Sequence, residues 1–109
     1  MATTYKVLGQ SNPAATTATT LYTVPAATQT VVSSITIANQ ASTSATFRIA
    51  IRVAGATLAA SQYIAYDVAV GAADTTVLTL GLTLGATDII TIYGSTATLS
   101  FAAFGSEVA

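Results

Sequence analysis

The stretch TVVSSITIANQASTSATFRIAIRV, residues 30–53, decides the fold class of this chain. Its second half alternates between apolar residues and small or charged ones, which is the two-residue period of a strand buried on one face. The apolar series is Phe47, Ile49, Ile51 and Val53, and the opposite series is Thr46, Arg48, Ala50 and Arg52. Polar residues between positions 39 and 44 predict a turn. We therefore predict two long strands that pair as a hairpin.

The first half of this stretch follows the same two-residue period. One face contains Val31, Ser33, Ile35 and Ile37, and the other contains Val32, Ser34, Thr36 and Ala38. The pattern predicts that Val31 shares a face with the two isoleucines. The same two-residue period predicts a strand over residues 63–70 with two different faces. One carries Ile64, Tyr66, Val68 and Val70, and the outward one carries Tyr63, Ala65, Asp67 and Ala69.

The rest of the chain contains short runs of the same kind, separated by turn residues. Further strands are predicted over residues 4–8, 21–24, 75–84, 89–93 and 97–104. Gly9 is expected to end the first strand. The segments GAAD (71–74) and GATD (85–88) are expected to form turns, and the turn at GAAD to close a hairpin. Residues 105–109 are expected to form a tail. Gly81 marks a bulge or a close approach by a neighbour. About eight short strands predict an all-β chain, a single antiparallel β-sandwich or jelly roll.

The length of 109 residues fits one domain, residues 1–109. Residues 10–20 are rich in Ser, Asn, Pro, Ala and Thr without apolar periodicity, so we predict an extended polar arm or loop there. Such an arm would be able to reach a neighbouring subunit. The chain has no cysteine, which excludes disulfides, and its N-terminal residues contain no signal-peptide pattern, which predicts an intracellular origin.

Charged residues make up only 6% of the chain, against about 25% in ordinary soluble proteins, while hydrophobic residues make up 52%. The net charge of −1 gives no electrostatic basis for binding nucleic acid or an anionic membrane. No apolar run approaches the roughly 18–20 residues of a spanning helix. A surface with so little charge resists association poorly. We expect partner subunits to cover much of it.

No residue pattern in the chain predicts catalysis. Histidine and cysteine are absent, and the single lysine is Lys6, so a nucleophile would have no ordinary base. The carboxylates are Asp67, Asp74, Asp88 and Glu107. Asp74 and Asp88 end the turn segments GAAD and GATD, each of which begins with glycine, and aspartate is common in turns for backbone reasons. We predict no enzymatic activity, no cofactor and no metal site.

Five residues are candidates for an interface instead. Arg48 and Arg52 share a strand face, where they are either solvated or paired with carboxylates across an interface. Asp67, on the outward face of its own strand, is the candidate partner in either case. Tyr63 and Tyr93 are the aromatic candidates, since an exposed tyrosine packs at interfaces or stacks on sugars and bases.

Three segments resemble small structural proteins of tailed-bacteriophage virions, a group that includes head-decoration (cement) proteins and small tail or baseplate subunits. They are LYTVPA (21–26), TVVSSITIANQASTSATFRIAI (30–51) and TATLSFAAFGSEV (96–108). The resemblance implies a β-sandwich or jelly-roll module present in many copies, with no enzymatic site.

From this resemblance we expect a capsid decoration protein that bridges and stabilises capsomers of the major capsid protein. The alternatives are a tail or baseplate subunit or adaptor, and a receptor- or carbohydrate-binding module. We expect a homo-oligomer, with a trimer as the predicted form, made in the host cytoplasm and located in the virion. Its partners would be further copies of itself and the major capsid protein or another virion structural protein. We expect it to bind neither nucleic acid nor a membrane.

Overall fold

The computed structural model describes residues 2–109, and in it nine strands form two antiparallel sheets. The prediction of an all-β antiparallel chain is confirmed. The strands are β1 Thr3–Ser11, β2 Thr19–Thr23, β3 Gln29–Asn39, β4 Ala45–Arg52, β5 Tyr63–Val70, β6 Thr75–Leu78, β7 Leu82–Leu84, β8 Ile89–Gly94 and β9 Leu99–Val108. Two 3₁₀ turns, Val53–Gly55 and Ala60–Gln62, lie between β4 and β5. No helix in residues 2–109 is long and apolar enough to span a membrane.

The strands of each sheet come from distant parts of the chain. The larger sheet has the order β1-β9-β3-β6, with β7 also paired to β3, and the smaller sheet has the order β2-β8-β4-β5. Among strands that follow one another in sequence, only β4 and β5 pair. The hairpin predicted within residues 30–53 is therefore wrong, because β3 and β4 lie in different sheets. The turns at 71–74 and 85–88 also carry the chain from one sheet to the other, so 71–74 does not close the predicted hairpin.

Asn39 explains why the polar segment after β3 crosses between the sheets. Its buried side-chain amide donates to the carbonyls of Thr43, Val70 and Gly71, at 2.8, 3.3 and 3.2 Å. Its Oδ1 accepts from the backbone N–H of Ala41 at 3.0 Å. The side chain thus holds two sheet-to-sheet connections together, and the five residues 40–44 are long enough to bridge sheets about 10 Å apart.

Apolar side chains from both sheets fill the space between them. Phe47 of β4 and Phe101 of β9 meet edge to face, with ring centroids 6.3 Å apart. The fully buried aliphatic residues around them include Ile35, Ile37, Ile49, Ile90, Ile92 and Leu99. Burying a side chain of this size stabilises the fold by roughly 1.5–3 kcal/mol relative to leaving it exposed. Contact between the sheets is therefore the main source of stability.

The predicted apolar series in β4 is confirmed as far as Ile51. Phe47 and Ile49 are fully buried and Ile51 packs against the core, but Val53 lies beyond the strand and is exposed. The chain bends there because Ala54 adopts a left-handed conformation, with φ +53°. Ala50 is also fully buried, although it lies on the opposite face from the core residues.

A β-bulge in β3 overturns the predicted face of Val31. Ser33 is an extra residue between Val32, which pairs with Gly105, and Ser34, which pairs with Phe104. The extra residue reverses the side-chain alternation, so Val32 is buried and Val31 is exposed, while the isoleucines after the bulge remain inside. Gly105 permits the close approach, since a Cβ on it would collide with the Val31 carbonyl.

Two glycines at which the sequence predicts the end of a strand, Gly9 and Gly105, lie inside strands in the structure. β1 continues through Gly9 to Ser11, and a Cβ at Gly9 would collide with the Leu21 carbonyl. The predicted tail, residues 105–109, is mostly strand, because β9 extends to Val108 between β1 and β3. The predicted strand at 75–84 is divided into β6 and β7, with Gly81 at φ +61° just before β7. No neighbour approaches Gly81 closely, because a Cβ built there would have no other atom within 4 Å.

The region predicted as an arm or loop contains the end of β1, a loop over residues 12–18 and the start of β2. The Asn12 side-chain amide donates to the carbonyls of Ala97 and Leu99, at 2.9 and 2.6 Å. The Thr16 N–H donates to the Gly94 carbonyl at 2.8 Å. These bonds hold the loop against the connection between β8 and β9.

Ile49→Asp is expected to prevent folding. The side chain is fully buried, and an unpaired carboxylate there costs several kcal/mol out of a total stability of roughly 5–15 kcal/mol. Ile64→Asp is the matched control, because Ile64 is 44% exposed and its variant should fold. Circular dichroism during heating checks both. A cooperative unfolding transition in the Ile49 variant would contradict the core assignment.

Gly105→Ala is expected to lower the free energy of unfolding by about 1–3 kcal/mol, because β3 must move away from the added methyl group. Gly85→Ala is the control, since the atom closest to its added Cβ is 3.8 Å away. The comparison is made by urea unfolding. Equal stability of the two variants would show that the bulge does not need glycine.

Candidate functional site: an arginine–tyrosine cluster on the smaller sheet

The outer face of the smaller sheet brings together residues from three strands. Arg48 of β4 lies directly opposite Tyr93 of β8. On its other side, β5 has a register shift that places two consecutive residues, Tyr66 and Asp67, opposite Arg48 alone. Two residues opposing one is the arrangement of a β-bulge, which redirects side chains. The bulge overturns the predicted face of Tyr66, whose side chain is 57% exposed.

Arg48 and Asp67 form a bidentate ion pair. Arg48 Nε lies 2.6 Å from Asp67 Oδ1, and Nη2 lies 3.3 Å from Oδ2. Asp67 has φ +51°, a conformation that aspartate adopts more readily than most residues. The hydrogen bond to Asp67 raises the pKa of Arg48 above its usual value, so the guanidinium stays charged.

Two tyrosine rings enclose the guanidinium of Arg48. Its Cζ lies 4.2 Å from the ring centroid of Tyr66 and 4.3 Å from that of Tyr93. Both distances are within the range of attraction between a cation and an aromatic face. Tyr63 meets Tyr66 edge to face, with centroids 5.0 Å apart and ring planes at 87°. The four side chains, together with Asp67, form one connected group, which we call the arginine–tyrosine cluster.

An open cleft of about 550 Å³ lies beside this cluster. Tyr63 and Tyr66 line one part of it, and the connection between β4 and β5 supplies Leu58, Ala59 and Ala60. Gln62 braces that connection. Its Oε1 accepts from the Ala59 N–H at 2.8 Å, and its Nε2 donates to the Thr57 carbonyl at 3.0 Å. Both sides of the cleft are therefore built without a ligand.

Four of the five predicted interface residues belong to the cluster: Arg48, Asp67, Tyr63 and Tyr93. Arg52 does not. Its Nε donates to the Ala56 carbonyl at 2.7 Å and its Nη2 to the Gly55 carbonyl at 3.2 Å, so it fixes the turn after β4. Sequence reasoning missed Tyr66, because a strict two-residue period assigns it to the opposite face from Tyr63. Tyr63 and Tyr66 share a face because a second register shift leaves Ile64 as an extra residue between Tyr63 and Ala65. The predicted outward face of Ala65 is wrong for the same reason, since Ala65 packs against the core.

A second polar cluster connects the two sheets near one end of the molecule. The hydroxyl of Tyr22, on the smaller sheet, donates to Glu107 and lies 2.8 Å from Thr30 Oγ1, both on the larger sheet. Lys6 Nζ is 2.9 Å from the other Glu107 oxygen. Burial, aided by the bond to Glu107, raises the pKa of Tyr22 from 10.0 to about 12. The hydrogen bonds from Tyr22 and Lys6 lower the pKa of Glu107 below its usual 4.5.

No protein-family model, curated protein or solved structure matches the chain. Within residues 2–109, no three His, Cys, Asp or Glu residues lie close enough together to hold a metal ion. The chemistry of the described surfaces is therefore the basis for assigning a function.

Arg48→Ala and Arg52→Ala are both expected to leave the domain folded, because neither residue belongs to the hydrophobic core. Arg48→Ala should shift the ring-proton NMR signals of Tyr66 and Tyr93, which lose the cation between them. Arg52→Ala should leave those signals in place and shift backbone signals of residues 53–56. Unchanged tyrosine signals in the Arg48 variant would contradict the enclosed geometry.

Stability should fall at both extremes of pH because of the Tyr22–Glu107 contact. Glu107 has a lowered pKa in the folded state, so its contribution is present above pH 4.5 and is lost as pH falls below it. Tyr22 has a raised pKa, so its contribution is complete below pH 10 and is lost between pH 10 and about 12. Melting temperatures measured across pH check this.

Two variants separate these contributions. Glu107→Gln should flatten the acid side of the stability profile, and Tyr22→Phe should flatten the alkaline side. If both variants keep the full pH dependence of the wild type, other groups cause it.

Proposed function

We propose that this chain is a non-enzymatic structural protein of a tailed-bacteriophage virion, a decoration protein that bridges and stabilises the major capsid protein. The observation that carries the proposal is an uncharged outer face on the larger sheet. The sequence resemblance supports the virion setting. The strand order β1-β9-β3-β6 against β2-β8-β4-β5 favours the jelly-roll form, in which the chain passes repeatedly between two sheets.

The uncharged face is built from cross-strand rows of small and apolar residues. The rows are Tyr5–Ser106–Val31–Thr83, Val7–Phe104–Ser34 and Gln10–Ala102–Thr36–Val77. The four most exposed apolar members are Tyr5 at 83%, Val77 at 58%, Val7 at 48% and Val31 at 41%. Exposed apolar residues arranged on one face are typical of interaction surfaces.

The charged residues of the chain all lie away from the uncharged face. Lys6 and Glu107 pair with each other on inner rows, beside Tyr22. Asp74 and Asp88 belong to the connections between sheets, and the other three charged residues are Arg48, Arg52 and Asp67 of the smaller sheet. A partner is therefore able to cover this face without leaving a charge buried and unpaired, which would otherwise oppose association.

The uncharged face is also large enough for a stable interface. The molecule measures 45 × 27 × 19 Å, and its two sheets are stacked. A face bounded by the two longer dimensions offers on the order of 1,000 Å², against roughly 800 Å² per partner in a standard interface. Many copies attached this way would stiffen a shell by burying apolar area at each contact. The partners in this proposal are further copies of the chain and the major capsid protein, within the virion.

The same face would serve a tail or baseplate subunit, and copy number separates these positions. Quantitative mass spectrometry of purified particles measures the ratio of this chain to the major capsid protein. Hundreds of copies per particle are expected for a decoration protein that covers the repeating capsomers. A handful of copies would transfer the proposal to the tail, and absence from the particle would refute a virion role.

Val77→Lys is expected to abolish attachment to particles or to other copies, because it introduces an unpaired charge into the uncharged face. Val53→Lys is the matched control, since Val53 is a comparably exposed valine, 65%, outside that face. Both variants should melt at the wild-type temperature. Light scattering measures oligomeric state, and co-sedimentation with stripped particles measures attachment. Equal behaviour of the two variants would exclude the uncharged face as the interface.

A further inference from the structure

We propose that the cleft beside the arginine–tyrosine cluster is a binding site for the ring of a neutral saccharide. The site lies on the smaller sheet, whereas the proposed assembly surface lies on the larger one. The inference therefore goes beyond the structural role and does not depend on it.

Of the two tyrosines of the cleft, Tyr66 is exposed and Tyr63 is half-buried, and their rings hold each other in place. Tyr66 is 57% exposed, but its ring contacts the Arg48 guanidinium and meets Tyr63 edge to face. Asp67 in turn holds the guanidinium through two contacts. A ring fixed in this way loses little conformational freedom when a ligand packs against it, which favours binding.

The opposite side of the cleft complements the aromatic side. Leu58, Ala59 and Ala60 present short aliphatic surfaces on a connection that Gln62 braces. The volume of about 550 Å³ is within the range of roughly 300–1,000 Å³ that is usual for small-molecule sites. An apolar lining with a few polar groups suits a sugar ring, which has apolar C–H faces and a polar rim.

The charges at the cleft favour a neutral ligand. Arg48 is the cation nearest to the tyrosines, and its guanidinium already forms a bidentate ion pair with Asp67. None of the five residues that line the cleft is charged. An anionic sugar or a phosphate would have to displace Asp67, and a cationic ligand would meet a carboxylate that is already paired.

The hydroxyls of Tyr63 and Tyr66 supply polar contacts at the cleft. Both residues line the cleft, and a phenolic hydroxyl both donates and accepts. Sugar hydroxyls also do both. A proline-rich peptide, the other common ligand of exposed tyrosines, offers mainly carbonyl acceptors in its extended form and would use only the donor half of this capacity.

The test is an NMR titration of the full chain with maltotriose, cellotriose and mannotriose. At least one should shift backbone signals at residues 58–66 and leave those of the uncharged face unchanged. Tyr66→Ala should weaken the binding about tenfold, equivalent to about 1.4 kcal/mol, whereas Tyr66→Phe should stay within about threefold. Tyr5→Ala is the matched control, because it removes an exposed tyrosine from the other sheet and should leave binding unchanged.

Three results would overturn the saccharide site. The first is that none of the three sugars shifts the signals at about 10 mM, a concentration that detects even millimolar affinity. The second is that binding survives Tyr66→Ala. The third is that the chain prefers a proline-rich peptide or a glucuronate-containing oligosaccharide to these sugars. None of these results bears on the copy number of the chain in particles, so failure of this inference is distinguishable from failure of the structural role.

Discussion

The packing of the two inner sheet faces is the interaction on which the rest of the structure depends. Six of the eight connections between these strands change sheet, and β6 and β7, although in the same sheet, pair with β3 and not with each other. Of the strands that follow one another in sequence, only β4 and β5 therefore form a hairpin. The contact between Phe47 and Phe101 joins strands that are far apart in the sequence. Each sheet is therefore held in register largely by the other, and the outer faces are free to differ in chemistry.

That freedom explains how one small domain presents two unlike surfaces. On the larger sheet, the outward rows contain Ser, Thr, Ala, Val and aromatic residues without charge. On the smaller sheet, the outward rows carry Arg48, Arg52 and Asp67. Core residues alternate with both sets along the same strands, so the sequence period that builds the interior also assigns each residue to a surface.

The sequence predicts the strands well because apolar alternation is a local property, and it predicts pairing poorly because partners are distant. Residues 39–44 have the composition of a hairpin turn, yet buried Asn39 uses its amide to tie two crossings together. The two-residue alternation assigns residues to the wrong face wherever a bulge adds a residue to a strand. Val31 and Tyr66 are both assigned to the wrong face for this reason. The alternation within their strands selects Arg48 and Asp67, and Tyr63 and Tyr93 are selected as aromatic residues. Their contact with Tyr66 is not predicted, because it depends on the two register shifts in β5.

The position of β9 between β1 and β3 has a consequence for synthesis of the protein. Thr3 pairs with Val108, so the larger sheet cannot close until the ribosome has made β9. At roughly 5–20 residues per second, the edges of β1 and β3 that pair with β9 stay unpaired for on the order of ten seconds. Folds dominated by such distant pairings form in roughly milliseconds to seconds once complete. With few charges to keep nascent chains apart, the interval of translation before β9 emerges is the period of greatest risk of aggregation.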